Sequence, residues 1–409
     1  MKKIKRWSAQ YVPSMRECFQ ARDGKGYSSE DFKAGETFTH AQSCIWLLGY
    51  SDLGVALLND VDPHGAVAAS VLGVSYEEWF KRRKEPLFKA ARQGAKPFTF
   101  GKPTGMSSIK LVLSNRAQGQ DTPAEGGPSW IDDGTYTGKK IRGYKGTRFC
   151  ILMNGSPTCG DIKVTSWGRR DKIPPTCKAC LECADHLGKI WLKQWRENQP
   201  YYDINDGIVN EGMMITEEAL ERWPWLKKVY RPGTKTEPGQ VMQHWSGRLR
   251  GGMDFTTTCN GWFQVLLAEI TKLAYRLVAR ECYDSTIKVP TQLFYNSNRS
   301  RYAGMQSPLF RSTPVAPFHD ELFMEHPASM LVDGAMRTSE VMRDVFAYVC
   351  PDMAAKVGAD PTIMERWYKN AEPVYRDAAG NKCEPDAPGA RLSLWKPKFG
   401  PGAEVVGVQ

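Results

Sequence analysis

From Pro314 to Pro327 the sequence alternates as strand, polar turn and strand, the pattern of a hairpin. At its tip, Phe318-His319-Asp320-Glu321-Leu322-Phe323 places two adjacent carboxylates between apolar neighbours. Side-by-side acids repel each other, which costs stability unless a cation neutralises them. A divalent metal is the natural counter-ion, and an exposed acidic turn is the plain alternative.

The rest of the chain must supply a core around that hairpin. At 409 residues, 41% of them hydrophobic, it is long enough for two or three domains or one large multi-lobed enzyme. Lys and Arg outnumber Asp and Glu by 55 to 45, giving a net charge of +10, a modest excess that suits a polyanionic partner. No run approaches the roughly 18 apolar residues needed to cross a bilayer, and Met1-Lys2-Lys3-Ile4-Lys5-Arg6-Trp7 is not followed by an apolar signal core. A cytoplasmic protein with no membrane partner is the expectation. The eleven cysteines are an odd number, and three crowd into Cys177-Lys-Ala-Cys180-Leu-Glu-Cys183, favouring thiols or a metal over a disulfide framework.

Local patterns predict helices from Thr37 to Leu58, broken at Gly49 and Ser51-Asp52, and from Gly65 to Leu72 after an Asp62-Pro63-His64 turn. Ser75 with Glu78 forms a capping box, and Pro86 suits the first turn of the next helix. Residues 118–145 read as a loop and 150–183 as a loop-rich insertion. Helices follow over Ala184–Asn198, Phe255–Tyr283 and Ser329–Val349, and the last thirty residues read as a packed or frayed polar tail.

Four segments occur in one order: Ser28-Ser29-Glu30-Asp31-Phe32-Lys33-Ala34-Gly35-Glu36; Asp62-Pro63-His64; Arg92-x3-Lys96-x3-Phe100-Gly101, leading to Gly105; and His319-Asp320-Glu321. Together they resemble motif A, the Asp-x-His pair, motif B and motif C of family A (DNA polymerase I-like) DNA polymerases. The resemblance spans about residues 15–325, and Ala41-Gln42 followed by Trp46-Leu47-Leu48-Gly49 suggests the bacteriophage branch.

The resemblance implies an α/β (α+β) right-hand fold lacking the thumb, with an antiparallel palm sheet and a large helical fingers lobe. Residues 1–64 would form the first part of the palm, 65–250 the fingers with a cysteine-rich insertion at about 150–186, and 251–409 the second part of the palm and a tail. It implies template-directed addition of dNTPs to a primer 3′-end, with Asp31, Asp320 and Glu321 catalytic. Asp31 and Asp320 would hold two Mg²⁺ ions roughly 3.5–4 Å apart.

Arg92, Lys96 and Phe100 recur every four residues, so on a helix they form one stripe suited to a nucleoside triphosphate. By resemblance His64 and Gly101 join that nucleotide site, Glu36 closes the space at the sugar's 2′ position, and Gly105, Asn260 and His319 face DNA. Asn260 stands where the family has Gln, Thr104 where it has a fingers Tyr, and Thr99 where it has Asn. Pro97 falls inside the motif B helix, where a proline typically costs ~3 kcal/mol, so a kink or an early break after Lys96 is expected.

Cys159, Cys177, Cys180 and Cys183 could give four thiolates to a structural Zn²⁺, with Cys150 or His186 as substitutes; reduced thiols are the alternative. Only thirty residues precede Asp31, so a separate polypeptide supplying thumb and exonuclease is expected as a partner beside primer–template DNA and dNTPs. The rival readings are a single-subunit RNA polymerase relative and a weak or inactive nucleic-acid-binding remnant of a polymerase.

Overall fold

The computed structural model describes residues 15–108, 110–111, 164–165, 176–210, 221, 241–242, 245–246, 248–250, 253–290, 300–354, 356–368 and 371–397. The chain divides into two units, Glu36–Leu266 and the pair of segments Met1–Gly35 and Leu267–Gln409. No helix among the described residues is long and apolar enough to cross a membrane.

The unit Glu36–Leu266 is built from helices α1 (Gly35–Leu48), α2 (Asp52–Leu58), α3 (Pro63–Leu72), α4 (Tyr76–Arg82), α5 (Pro86–Gly101), α6 (Lys178–Gln194), α7 (Asn198–Asn210) and the first part of α8 (Phe255–Tyr283). Their starts follow the expected capping chemistry. The Ser51, Asp62 and Ser75 side chains accept from the amides of Gly54, His64 and Glu78, and Pro63 stands in the first turn of α3.

The core cluster of this unit joins Cys44 and Leu47 of α1 to Tyr201 and Ile208 of α7 and to Cys259 and Trp262 of α8. The Tyr201 hydroxyl donates to the Cys259 carbonyl at 2.5 Å and the Trp262 indole N–H to Asn205 Oδ1 at 3.0 Å. This packing is why the division falls at residues 35/36 and 266/267, whereas the sequence placed boundaries near 64 and 250. The body of α1 and the start of α8 bury their apolar faces in the helical unit.

Helix α5 does not stop after Lys96 but continues to Gly101, correcting the expected early break. Phe88, Ala91, Ala95 and Phe98 on one face are all at most 2% exposed, and the Trp191 ring meets Phe98 edge-on at 5.8 Å. Burying a Phe side chain stabilises by about 1.5–3 kcal/mol, enough with its neighbours to offset the cost of Pro97.

In the other unit, strands β1 (Lys25–Phe32), β2 (Thr313–Phe318), β3 (Glu321–Pro327) and β4 (Ala359–Met364) form an antiparallel sheet in the order β2-β3-β1-β4. Helix α9 (Leu331–Val349) packs on one face, where Phe32 meets Phe346 at 5.3 Å. The opposite face carries Tyr27, Phe323, Met364, Trp367 and Tyr368. The chain is thus a mixed fold of helices and antiparallel sheet.

A small antiparallel sheet of β5 (Val374–Arg376), β6 (Lys382–Cys383) and β7 (Arg391–Ser393), in the order β6-β5-β7, reaches into the segment expected as a tail. A buried ion cluster ties the end of α8 to α9. The Arg337 guanidinium, fully buried, donates to both Glu281 oxygens at 2.6 and 3.0 Å and to Glu340 at 3.1 Å.

Glu30 lies on the α9 face of β1, fully buried, with no Lys or Arg partner among the described residues. Burial pushes its pKa well above the ordinary 4.5. A raised folded-state pKa means this group's contribution to stability is full below the unfolded pKa and is lost as pH rises toward the folded one. Stability should therefore fall above about pH 4.5, by at most about 1.4 kcal/mol per pH unit from this group. Glu30→Gln should flatten that fall, measured as urea midpoints from about pH 5 to about pH 8. An unchanged slope in the variant would show that Glu30 does not titrate this way.

Candidate active site

Strand pairing brings distant acids to one end of the sheet. Asp31 is directly opposite Glu321 on β3 and opposite Asp360 on β4, so three carboxylates share one face at one register. The two-residue turn between β2 and β3 adds Asp320. It is made possible by His319, whose φ of 56° is a left-handed conformation that His tolerates better than bulky residues do. His319 itself is exposed.

The flanking acids each have their own cation. Lys33 pairs with Asp360, and Arg16 reaches Glu321 Oε2 at 3.4 Å. Glu321 Oε1 accepts from the Ser29 hydroxyl at 2.7 Å and the Trp367 indole N–H at 3.2 Å. The central pair is different. Among the described residues neither Asp31 nor Asp320 makes an ion pair with Lys or Arg.

Asp31 is exposed and Asp320 half-buried, so hydration is lost only in part. The loss of hydration, then Asp320 beside it, push its pKa up to about 7, and Asp320 is shifted upward by burial as well. Two like charges side by side ionise together only at a cost, which a divalent cation would offset. Among the described residues no three or more His, Cys, Asp or Glu side chains are gathered to form a complete metal cage. Two carboxylates fit Mg²⁺, which is commonly held by one or two carboxylates with substrate phosphates and water completing its octahedron.

A second set of expected residues lies in the helical unit. Arg92, Lys96 and Phe100 follow one another along α5, and Phe100 is 46% exposed although its neighbours Phe98 and Thr99 are buried. The Asp62 carboxylate caps α3 through the His64 amide and pairs with Arg92 Nε, while His64 Nδ1 bonds the Thr99 hydroxyl and its ring meets Phe100 edge-on at 5.1 Å. Burial, reinforced by Arg92 and Lys96, lowers the His64 pKa to about 4, so the ring is neutral at pH 7. This gives a cationic stripe ending in an accessible ring.

Glu36, in the first turn of α1, accepts from the Gln264 amide at 3.3 Å. Asn260, one turn earlier on α8, has a buried Oδ1 with no hydrogen-bond partner among the described residues. Gly101 and Gly105 have packing reasons of their own. A Cβ on Gly101 would lie 2.7 Å from Met106 Sδ, and Gly105 has a φ of 70° and would meet the Phe255 ring at 2.4 Å.

Sequence reasoning missed Arg16, Trp367, Asp360 and Gln264. Register across β1 could have found Asp360; no local signal marks the others. Cys150 and Cys159 lie outside the described residues. Of Cys177, Cys180 and Cys183 only the backbone is described, at the end of a two-residue strand and the start of α6, and His186 is exposed on α6.

No protein-family model matches this chain, and no curated protein matches it. Among solved structures, it is similar to the POL domain of Pol1 from M. smegmatis, solved in complex with DNA primer-template and dNTP, at 14% identity and a TM-score of 0.45. The match covers 87% of this chain and 43% of that one, so the chain spans under half of that domain's length.

Proposed function

We propose that the chain is a template-directed DNA polymerase that adds dNTPs to a primer 3′-end. The observation that carries the reading is the pair Asp31 and Asp320 at one end of the sheet, neither with a Lys or Arg partner among the described residues, beside two acids that each have one. It coincides with the order of the four polymerase-like sequence motifs. Asp31 and Asp320 would hold divalent metal, which supplies Lewis-acid stabilisation of the phosphoryl group and helps ionise the primer hydroxyl.

The protein's own residues do the remaining work in this reading. Arg92 and Lys96 pair with the triphosphate, Arg92 being oriented by Asp62. Phe100 offers its exposed ring to the base or sugar. Glu36, fixed by Gln264, closes the space at the 2′ position. Neutral His64 can accept or donate a hydrogen bond to a phosphate without adding charge.

The substrate class is tested by comparing incorporation from four dNTPs with that from four rNTPs on one primer–template. A preference for dNTPs is expected. Preference for rNTPs would favour the single-subunit RNA polymerase reading and would remove the role given to Glu36.

A further inference from the structure

Glu321 is the most firmly held carboxylate of the sheet end, and the way it is held separates it from its neighbours. Both of its oxygens are engaged, by Ser29 and Trp367 on Oε1 and by Arg16 on Oε2, and its side chain is 16% exposed. The Arg16 guanidinium lies 4.2 Å above the Trp367 ring and 5.7 Å from the Phe318 ring. Trp367 in turn stacks on Phe323 at 4.6 Å and meets Phe318 at 4.5 Å. Arg16 belongs to a short 3-10 helix before β1, Trp367 follows β4, and Phe318 and Glu321 flank the Asp320 turn. Three separate segments therefore converge on one carboxylate, each oxygen of which has a partner.

We propose that Arg16, together with Ser29 and Trp367, is a positioning residue that holds Glu321 as a fixed counter-charge, so that divalent metal is bound by Asp31 and Asp320 and not by Glu321. The proposal rests on reading Asp31 and Asp320 as the metal pair. A guanidinium stacked on an indole and paired to a carboxylate is well placed for this, because stacking fixes its plane while the charge compensates the acid. With Arg16 in place, the hairpin tip is anchored from its side and the net negative charge beside Asp31 is lowered by one.

The test is Mn²⁺ binding by the purified full chain, followed by loss of the free-ion electron paramagnetic resonance signal, with thermal midpoints recorded for each variant. Asp31→Asn should weaken Mn²⁺ binding at least tenfold. Arg16→Gln should tighten it by about two- to threefold, because the site gains one uncompensated negative charge. Arg16→Lys should restore the wild-type affinity. Glu321→Gln should stay within about threefold of wild type, since an electrostatic neighbour is lost and not a ligand. A change that merely loosened the fold would weaken binding, not tighten it.

Weakening by Glu321→Gln equal to that of Asp31→Asn would make Glu321 a ligand and overturn the proposal. Weaker or unchanged binding in Arg16→Gln, or Arg16→Lys behaving like Arg16→Gln, would overturn it too. Wild-type Mn²⁺ affinity in Asp31→Asn would instead overturn the metal pair itself, a distinguishable result.

Discussion

Asp31→Asn and Asp320→Asn should each lower the rate of templated primer extension roughly a thousandfold or more while leaving primer–template binding nearly unchanged. Metal stabilisation of a transferring phosphoryl group is worth several kcal/mol, and about 1.4 kcal/mol is a factor of ten in rate. Asparagine keeps the size of the side chain and one oxygen but removes the charge. It also removes the like-charge repulsion between the two carboxyls, so each variant should fold at least as stably as wild type at neutral pH. Lost extension combined with kept stability distinguishes a ligand from a structural acid. Single-turnover extension and duplex-binding titrations read the two effects separately. Extension by either variant within tenfold of wild type would remove that carboxylate from the chemistry.

The largest expected effect on stability is at Arg337. Arg337→Met leaves Glu281, 5% exposed, without its bidentate partner and should destabilise the protein by about 3–5 kcal/mol. Ser307 still donates to Glu281 at 2.6 Å, but a neutral hydroxyl does not replace a buried cation. Replacing Arg337 by Met and Glu281 by Leu together should recover much of the loss, because no buried charge of that ion pair then remains unmatched. Urea unfolding midpoints measure both. A double variant as unstable as the single one would mean that shape, not charge, dominates at this site.

What could be read in the sequence was what local periodicity and capping encode. Helix α8 runs from Phe255 to Tyr283, the bounds its apolar pattern predicts, and the hairpin turn falls at His319-Asp320 because only two polar residues separate its apolar strands. The N-caps Ser51, Asp62 and Ser75 stand where their side chains can reach amides two or three residues on. Contacts between distant segments left no such mark. Glu321 is held by residues 305, 292 and 46 positions away in the chain, and nothing near Arg16 or Trp367 distinguishes them from other surface-suited residues.

Two expectations met stronger competing effects. The helix rule at Pro97 is a local penalty, and the buried face of α5 outweighs it. Strands of two or three residues, such as Lys382–Cys383 and Arg391–Ser393, are too short to show alternation, so the small C-terminal sheet reads as a polar tail. In the site, the acids and the cationic stripe were legible from residue type and spacing. The raised pKa of Asp31 was not, because it depends on the approach of β1 to the β2–β3 turn, which most of the chain separates.

The measurement that bears most directly on the polymerase reading is single-nucleotide incorporation on a defined primer–template with the purified wild-type chain, at low salt and with Mg²⁺. The account predicts addition of the dNTP complementary to the template base, loss of that addition on chelation, and its absence in Asp31→Asn. Duplex binding without any metal-dependent extension would contradict it and leave the chain as a nucleic-acid-binding remnant of a polymerase.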